Sequence, residues 1–163
     1  MKQKTAYLGL FTAVAIIFGY VETLVPVFAG IPGIKLGLAN LAVLFILERY
    51  GFNEAAMVSA VRILIIGFLF GNMFSILYSL AGAALSLTAM TLMKKRNGFS
   101  IIGISVAGGV THNIGQLLIA IVIVANRSLL YYAPVLLVSG VITGLFIGWL
   151  TAETLKRVPA SFS

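Results

Sequence analysis

Six apolar runs, at residues 5–25, 36–50, 54–70, 73–93, 101–125 and 132–155, fill most of the chain, and charged side chains fall almost entirely between them. A helix of about 20 apolar residues crosses the hydrocarbon core of a bilayer. Lipid offers no partner to a free backbone amide or carbonyl, so such segments must close their hydrogen bonds internally, as helices do. The pattern predicts an all-α integral membrane protein, a six-transmembrane-helix bundle forming a single membrane domain over 1–163. The second run is short for a full crossing. The first, preceded by Lys2 and Lys4, is longer than a signal-peptide core and is expected to persist as the first helix.

Composition agrees with the pattern. Charged residues make up 9% of the chain and hydrophobic ones 61%, against roughly 25% charged in soluble domains. The chain has no cysteine, which excludes disulfides, thiolate metal sites and redox thiols. It also has no aspartate, and its only acids are Glu22, Glu48, Glu54 and Glu153.

The net charge of +7 is explained by topology and not by nucleic-acid binding. Lys2, Lys4, Arg49, Lys94, Lys95, Arg96, Lys156 and Arg157 fall on one side of the alternating loops, against Lys35 and Arg127 on the other. The positive-inside rule then expects both termini in the cytoplasm, in a multi-pass protein of the cytoplasmic membrane. The loop at 26–35, Gly71, Asn72 and Arg127 would face outward. That loop is poor in polar residues and is expected to fold over the bundle mouth as a cap.

Polar groups inside the apolar runs carry the functional signal. The fifth run contains GGVTHNIGQL at 108–117, with the only histidine of the chain. Positions four apart share a helix face, so Gly108, His112 and Gln116 form one stripe. Gly108 and Gly115 permit close approach of another backbone or a ligand. Such groups in hydrocarbon need a partner or a wet cavity. The plain alternative is that His112, Asn113 and Gln116 only hydrogen-bond neighbouring helices. Asn40 lies within the second run and Arg62 within the third. Arg62 needs either Glu22 as a structural partner or the anionic part of a substrate, to which Lys35 could add a second positive charge.

Small residues mark expected contact faces: Gly9 with Ala13, Ala15 with Gly19, and Gly140, Gly144 and Gly148 on the last helix. Asn53 is expected to cap the third helix, and Trp149 suits a membrane interface.

PGIKLGLANL at 32–41, Arg62 with LFGNMFSILYSLAG at 69–82, and THNIGQL at 111–117 resemble the Gx transporter family, also described as heptaprenyl diphosphate synthase component I. The resemblance covers nearly the whole chain. It implies a relation to the substrate-binding S components of energy-coupling factor (ECF) transporters. Those are six-helix bundles that take up a ligand under the first loop and join a transmembrane coupling subunit and two ATPases. It also implies a docking face on the first helix, where Gly9 and Ala13 match the small-residue pattern. The family further includes EetB-like members of flavin-based extracellular electron transfer and members associated with menaquinone synthesis.

The synthase description can be tested against chemistry. Prenyl chain elongation holds diphosphate through magnesium on clustered carboxylates, and this chain has no aspartate and no paired glutamates. It also lacks a GxxxxGK[ST] phosphate loop, and a lone histidine without a neighbouring acid or nucleophile is weak ground for catalysis. The chain is therefore expected not to be an enzyme and to need no cofactor or metal. Two functions remain. One is a substrate-capture subunit for a small anionic or amphipathic molecule such as an isoprenoid, quinone or vitamin precursor. The other is a non-catalytic partner or anchor in prenyl diphosphate or menaquinone synthesis, or in extracellular electron transfer. Lys35, Asn40, Arg62, Asn72, His112, Asn113 and Gln116 are the expected ligand-lining residues.

Overall fold

The computed structural model describes residues 2–24 and 37–158. Among them every regular element is helical: α1 (Lys2–Leu24), α2 (Leu38–Arg49), α3 (Phe52–Phe70), α4 (Met73–Lys95), α5 (Ile101–Val124), a short 3-10 helix (Arg127–Tyr132) and α6 (Ala133–Arg157). The expected cap at 26–35, with Lys35, lies outside the described residues.

Among the described residues five helical segments are long and apolar enough to cross a membrane: α1, α3, α4, α5 and the unit formed by the 3-10 helix with α6. The sixth helix, α2, is the short one, as the length of its run leads one to expect. It has 12 residues, about 18 Å at 1.5 Å per residue, against a hydrocarbon core of about 30 Å. Its start is set by Gly37, whose φ of 75° lies in the left-handed region and breaks the helix one residue before Leu38. From Ala42 to Leu47 it is buried without interruption, so it faces protein where the longer helices face lipid.

Charged side chains gather five helix ends together. Lys4 pairs with Glu54 at 2.6 Å. Arg49 donates to the carbonyls of Leu155 and Val158. Lys94 donates to the carbonyls of Leu47 (2.6 Å) and Glu48 (2.9 Å). The starts of α1 and α3 and the ends of α2, α4 and α6 therefore share one basic end of the bundle. Rising about 18 Å from that end, α2 stops roughly midway, and Gly37 marks the depth at which it stops.

Below that depth the bundle is filled. Ala15, Val43, Leu44, Phe45, Val58, Leu87, Met90 and Ile104 form one buried apolar cluster drawn from five helices. Phe11 stacks on Phe45 with ring centroids 4.4 Å apart. The outer surface is apolar as well, with Phe68 69% and Val122 73% exposed. That is a liability in water and the expected surface in lipid.

Helices α4, α5 and α6 pack backbone to backbone. A Cβ added to Gly144 would lie 2.6 Å from the Val106 Cα, and one added to Gly115 would lie 2.8 Å from the Ala81 carbonyl oxygen. The glycines of the last helix thus meet α5, and Gly115 on the opposite side of α5 meets α4. Hydroxyls on the crossing helices mostly bond back to the preceding turn, as Thr111 does to Ala107 at 2.7 Å, which hides them from lipid.

One helix start differs from expectation. Asn53 is not the cap of α3: the helix begins at Phe52, directly after Gly51, which has a φ of 105° and contributes no side-chain cap. With Gly51 supplying the turn, Asn53 falls inside the first helical turn, where its side chain cannot reach the capping position.

Candidate functional site

The site is set by the point where α2 stops. Four backbone amides at a helix start have no partner within the helix, and Gly37 has no side chain with which to cap them. The carboxylate of Glu22, reaching across from α1, accepts the Leu38 amide at 2.6 Å. A negative group there also meets the positive end of the α2 dipole. A glutamate inside an apolar helix is thereby given a structural reason.

One turn into α2, the Asn40 Oδ1 accepts a hydrogen bond from Arg62 Nη2 at 2.7 Å. Glu22 and Arg62 face the same cavity and act on each other through their opposite charges. Arg62 therefore has the Glu22 field as expected and, in addition, a direct bond to Asn40. Its Nε is buried and meets no acceptor among the described residues.

Helix α5 closes the other side. His112 and Gln116 share a face and lie against Gly82 of α4, where an added Cβ would come within 2.9 Å of Gln116 Cγ and 3.0 Å of His112 Cε1. Gln116 is 8% exposed. Among the described residues nothing bonds its carboxamide, which lines the cavity. Its amide atoms are not sealed off in the packing and open onto the cavity, where a ligand or water can meet them.

Asn113 lines the same cavity but is committed elsewhere. Its Nδ2 donates to the Leu136 carbonyl at 2.6 Å and to Ser139 Oγ at 3.2 Å, which ties α5 to α6. For this residue the helix-gluing alternative holds at the nitrogen.

The cavity enclosed by these groups measures about 70 Å³. At roughly 10–15 Å³ of such space per water, it holds about five waters, or one compact polar group in their place. Described residues of all six α-helices line it, and most of the lining is polar. A second, smaller cavity of about 30 Å³ continues toward the basic end, lined in part by Ser86, Ser105 and Thr143, and stops at the apolar cluster.

Asn40, Arg62, His112, Asn113 and Gln116 are thus brought together, from three helices distant in sequence. Asn72 is not with them. It caps α4, its Oδ1 accepting the Ser75 amide at 2.8 Å while Ser75 Oγ accepts the Asn72 amide at 3.0 Å. It is exposed at the α3–α4 turn, away from the cavity. An asparagine beside a glycine between two helices is better read as a cap than as a ligand. Lys35 lies outside the described residues.

Glu22 belongs to the site, although sequence singled it out only as a partner for Arg62. Ser79 and Thr143 also line it. Ser79 sits in a periodic small-residue pattern of α4, whereas Thr143, inside the glycine stripe of α6, gave no signal of its own. Gly9 and Ala13 lie far from the cavity, exposed on α1, with nothing within 4 Å of a Cβ added at Gly9.

Among the described residues no group of three or more His, Cys, Asp or Glu side chains could hold a metal ion. Comparison with curated proteins and with solved structures finds no match. Residues 11–154 match the family model for heptaprenyl diphosphate synthase component I.

Proposed function

The chain belongs to the heptaprenyl diphosphate synthase component I family, and from that premise we propose that it is a non-catalytic membrane subunit that captures a small molecule in the cavity between Arg62 and Gln116. The family name supports a place beside prenyl diphosphate synthesis, as one component of a larger assembly. The catalytic steps of such an assembly need clustered carboxylates for magnesium, and these belong to a partner.

The observation that carries the proposal is Gln116: a residue 8% exposed whose carboxamide has no partner among the described residues and which lines a cavity together with Arg62. Helix gluing would use these donors, as it does for Asn113. The apolar cluster below the cavity supports capture over conduction, because a ligand has no open path to the basic end. Release toward that end requires helices to move, and a partner is the natural agent of that movement. The exposed Gly9 and Ala13 face suits a close-packing transmembrane partner, such as an ECF coupling subunit working with its ATPases. The cation asymmetry supports termini in the cytoplasm and residence in the cytoplasmic membrane.

The alternative is an anchor that only holds a synthase or electron-transfer partner at the membrane. The two functions separate when the purified protein is denatured and its released contents are identified by mass spectrometry. Capture predicts a small molecule in near-stoichiometric amount. A sample that yields no small molecule but retains a protein partner through purification is an anchor, and the capture proposal then fails.

A further inference from the structure

We propose that the captured ligand is an amphiphile, with a compact hydrogen-bonding head carrying at most one negative charge and a short hydrocarbon body lying in a second pocket beside the cavity. This rests on the capture function proposed above and names the chemical class of its ligand. The second pocket measures about 240 Å³ and lies between α4, α5, the 3-10 helix and α6. Tyr78, Leu117, Ala120, Leu129, Tyr132 and Leu136 line it, and its surface is mainly apolar. Gln116 lines both this pocket and the polar cavity. Gln116 is the one described residue that the two linings have in common, so a ligand that spans both passes its side chain, with its head in the polar cavity and its body in the apolar pocket.

The head is limited by size and by charge. The polar cavity of about 70 Å³ admits one small group. Among its described lining residues Arg62 is the permanent cation and Glu22 the acid, so their charges offset each other. A diphosphate would bring several charges against one guanidinium, and uncompensated charge away from water is strongly disfavoured. A carboxylate, or a neutral carbonyl or amide, meets the Arg62 guanidinium and Gln116 without that excess. The body is limited by volume: its pocket lies below the roughly 300–1,000 Å³ of drug-sized sites, and the two chambers together only reach that range.

Geranic acid, geraniol and geranyl diphosphate share one hydrocarbon body and differ only in head, while acetate and pyrophosphate supply heads alone. Equilibrium binding of these probes to the protein in nanodiscs tests the inference, with Arg62→Gln acting on the head and Ala120→Phe filling the apolar pocket. Geranic acid should bind saturably, and at least about tenfold more tightly than acetate or geranyl diphosphate. Each substitution should weaken it about tenfold. Ala120→Leu, a smaller intrusion, serves if the phenylalanine variant does not fold. Preference for geranyl diphosphate or pyrophosphate would overturn the head assignment. If Arg62→Gln abolishes binding while both Ala120 variants leave it unchanged, the ligand ends within the polar cavity and the apolar pocket holds membrane acyl chains; the amphiphile is then wrong and capture survives. If no probe binds saturably, the class is wrong. Saturable binding that neither substitution alters removes the site itself.

Discussion

At the residue scale the bundle contains two kinds of buried polar group, and their bonding separates them. Asn113 spends its amide nitrogen on α6, and Glu22 spends a carboxylate oxygen on the start of α2. Both act as parts of the frame. Glu22→Ala should therefore cost about 1 kcal/mol or more of thermal stability, as the loss of a helix cap does. Glu22→Gln, which still offers an acceptor, should cost less; equal losses measured by melting would mean that the amide contact is not what Glu22 supplies. Arg62 and Gln116 keep donors unspent, and that surplus separates a site from glue. The sequence exposed these residues because a guanidinium and a carboxamide in an apolar run need a reason. It misplaced Asn72, since the same amide chemistry serves a helix cap, and only geometry shows that Ser75 takes it.

At the scale of elements, α2 decides the architecture. Its apolar run is short for a full crossing, but hydropathy reports what a segment can face and not what it does face, so the depth at which it stops was not legible. Gly37 was visible in the sequence, but its left-handed conformation, which ends the helix, is a property of the fold. The glycine stripe of α6 was legible in full, since a spacing of four puts the residues on one face and only close approach explains the choice. A valine at Gly144, whose added Cβ would lie 2.6 Å from the Val106 Cα, should force α5 and α6 apart. The cost should be about 1–3 kcal/mol or more, read as a large loss of folded protein in detergent. Leucine at Gly9, where nothing lies within 4 Å, should leave melting unchanged and weaken only association with a partner. If Gly9→Leu destabilises the isolated protein, that face packs internally and is not free for docking.

At the scale of the whole molecule, the gathering of Lys4, Arg49 and Lys94 at one end accords with the cation count read from the sequence. The count further predicts sidedness. A cysteine at Ser128 should react with an impermeant reagent in intact cells, and one at Ser100 should not; equal labelling would reverse or remove the proposed orientation. The central claim, that the Gln116 cavity holds a ligand and is not merely part of the helix packing, is tested most directly by Gln116→Leu. The substitution replaces an amide that has no partner among the described residues with an apolar side chain of similar size, which should cost the folded protein little. Melting of ligand-free protein and retention of the copurified small molecule should be measured on the same preparations. A ligand site at Gln116 should give a melting temperature equal to or above that of the unmodified chain, together with at least about a tenfold loss of bound ligand. A lower melting temperature with ligand retention unchanged would contradict it and make Gln116 part of the frame.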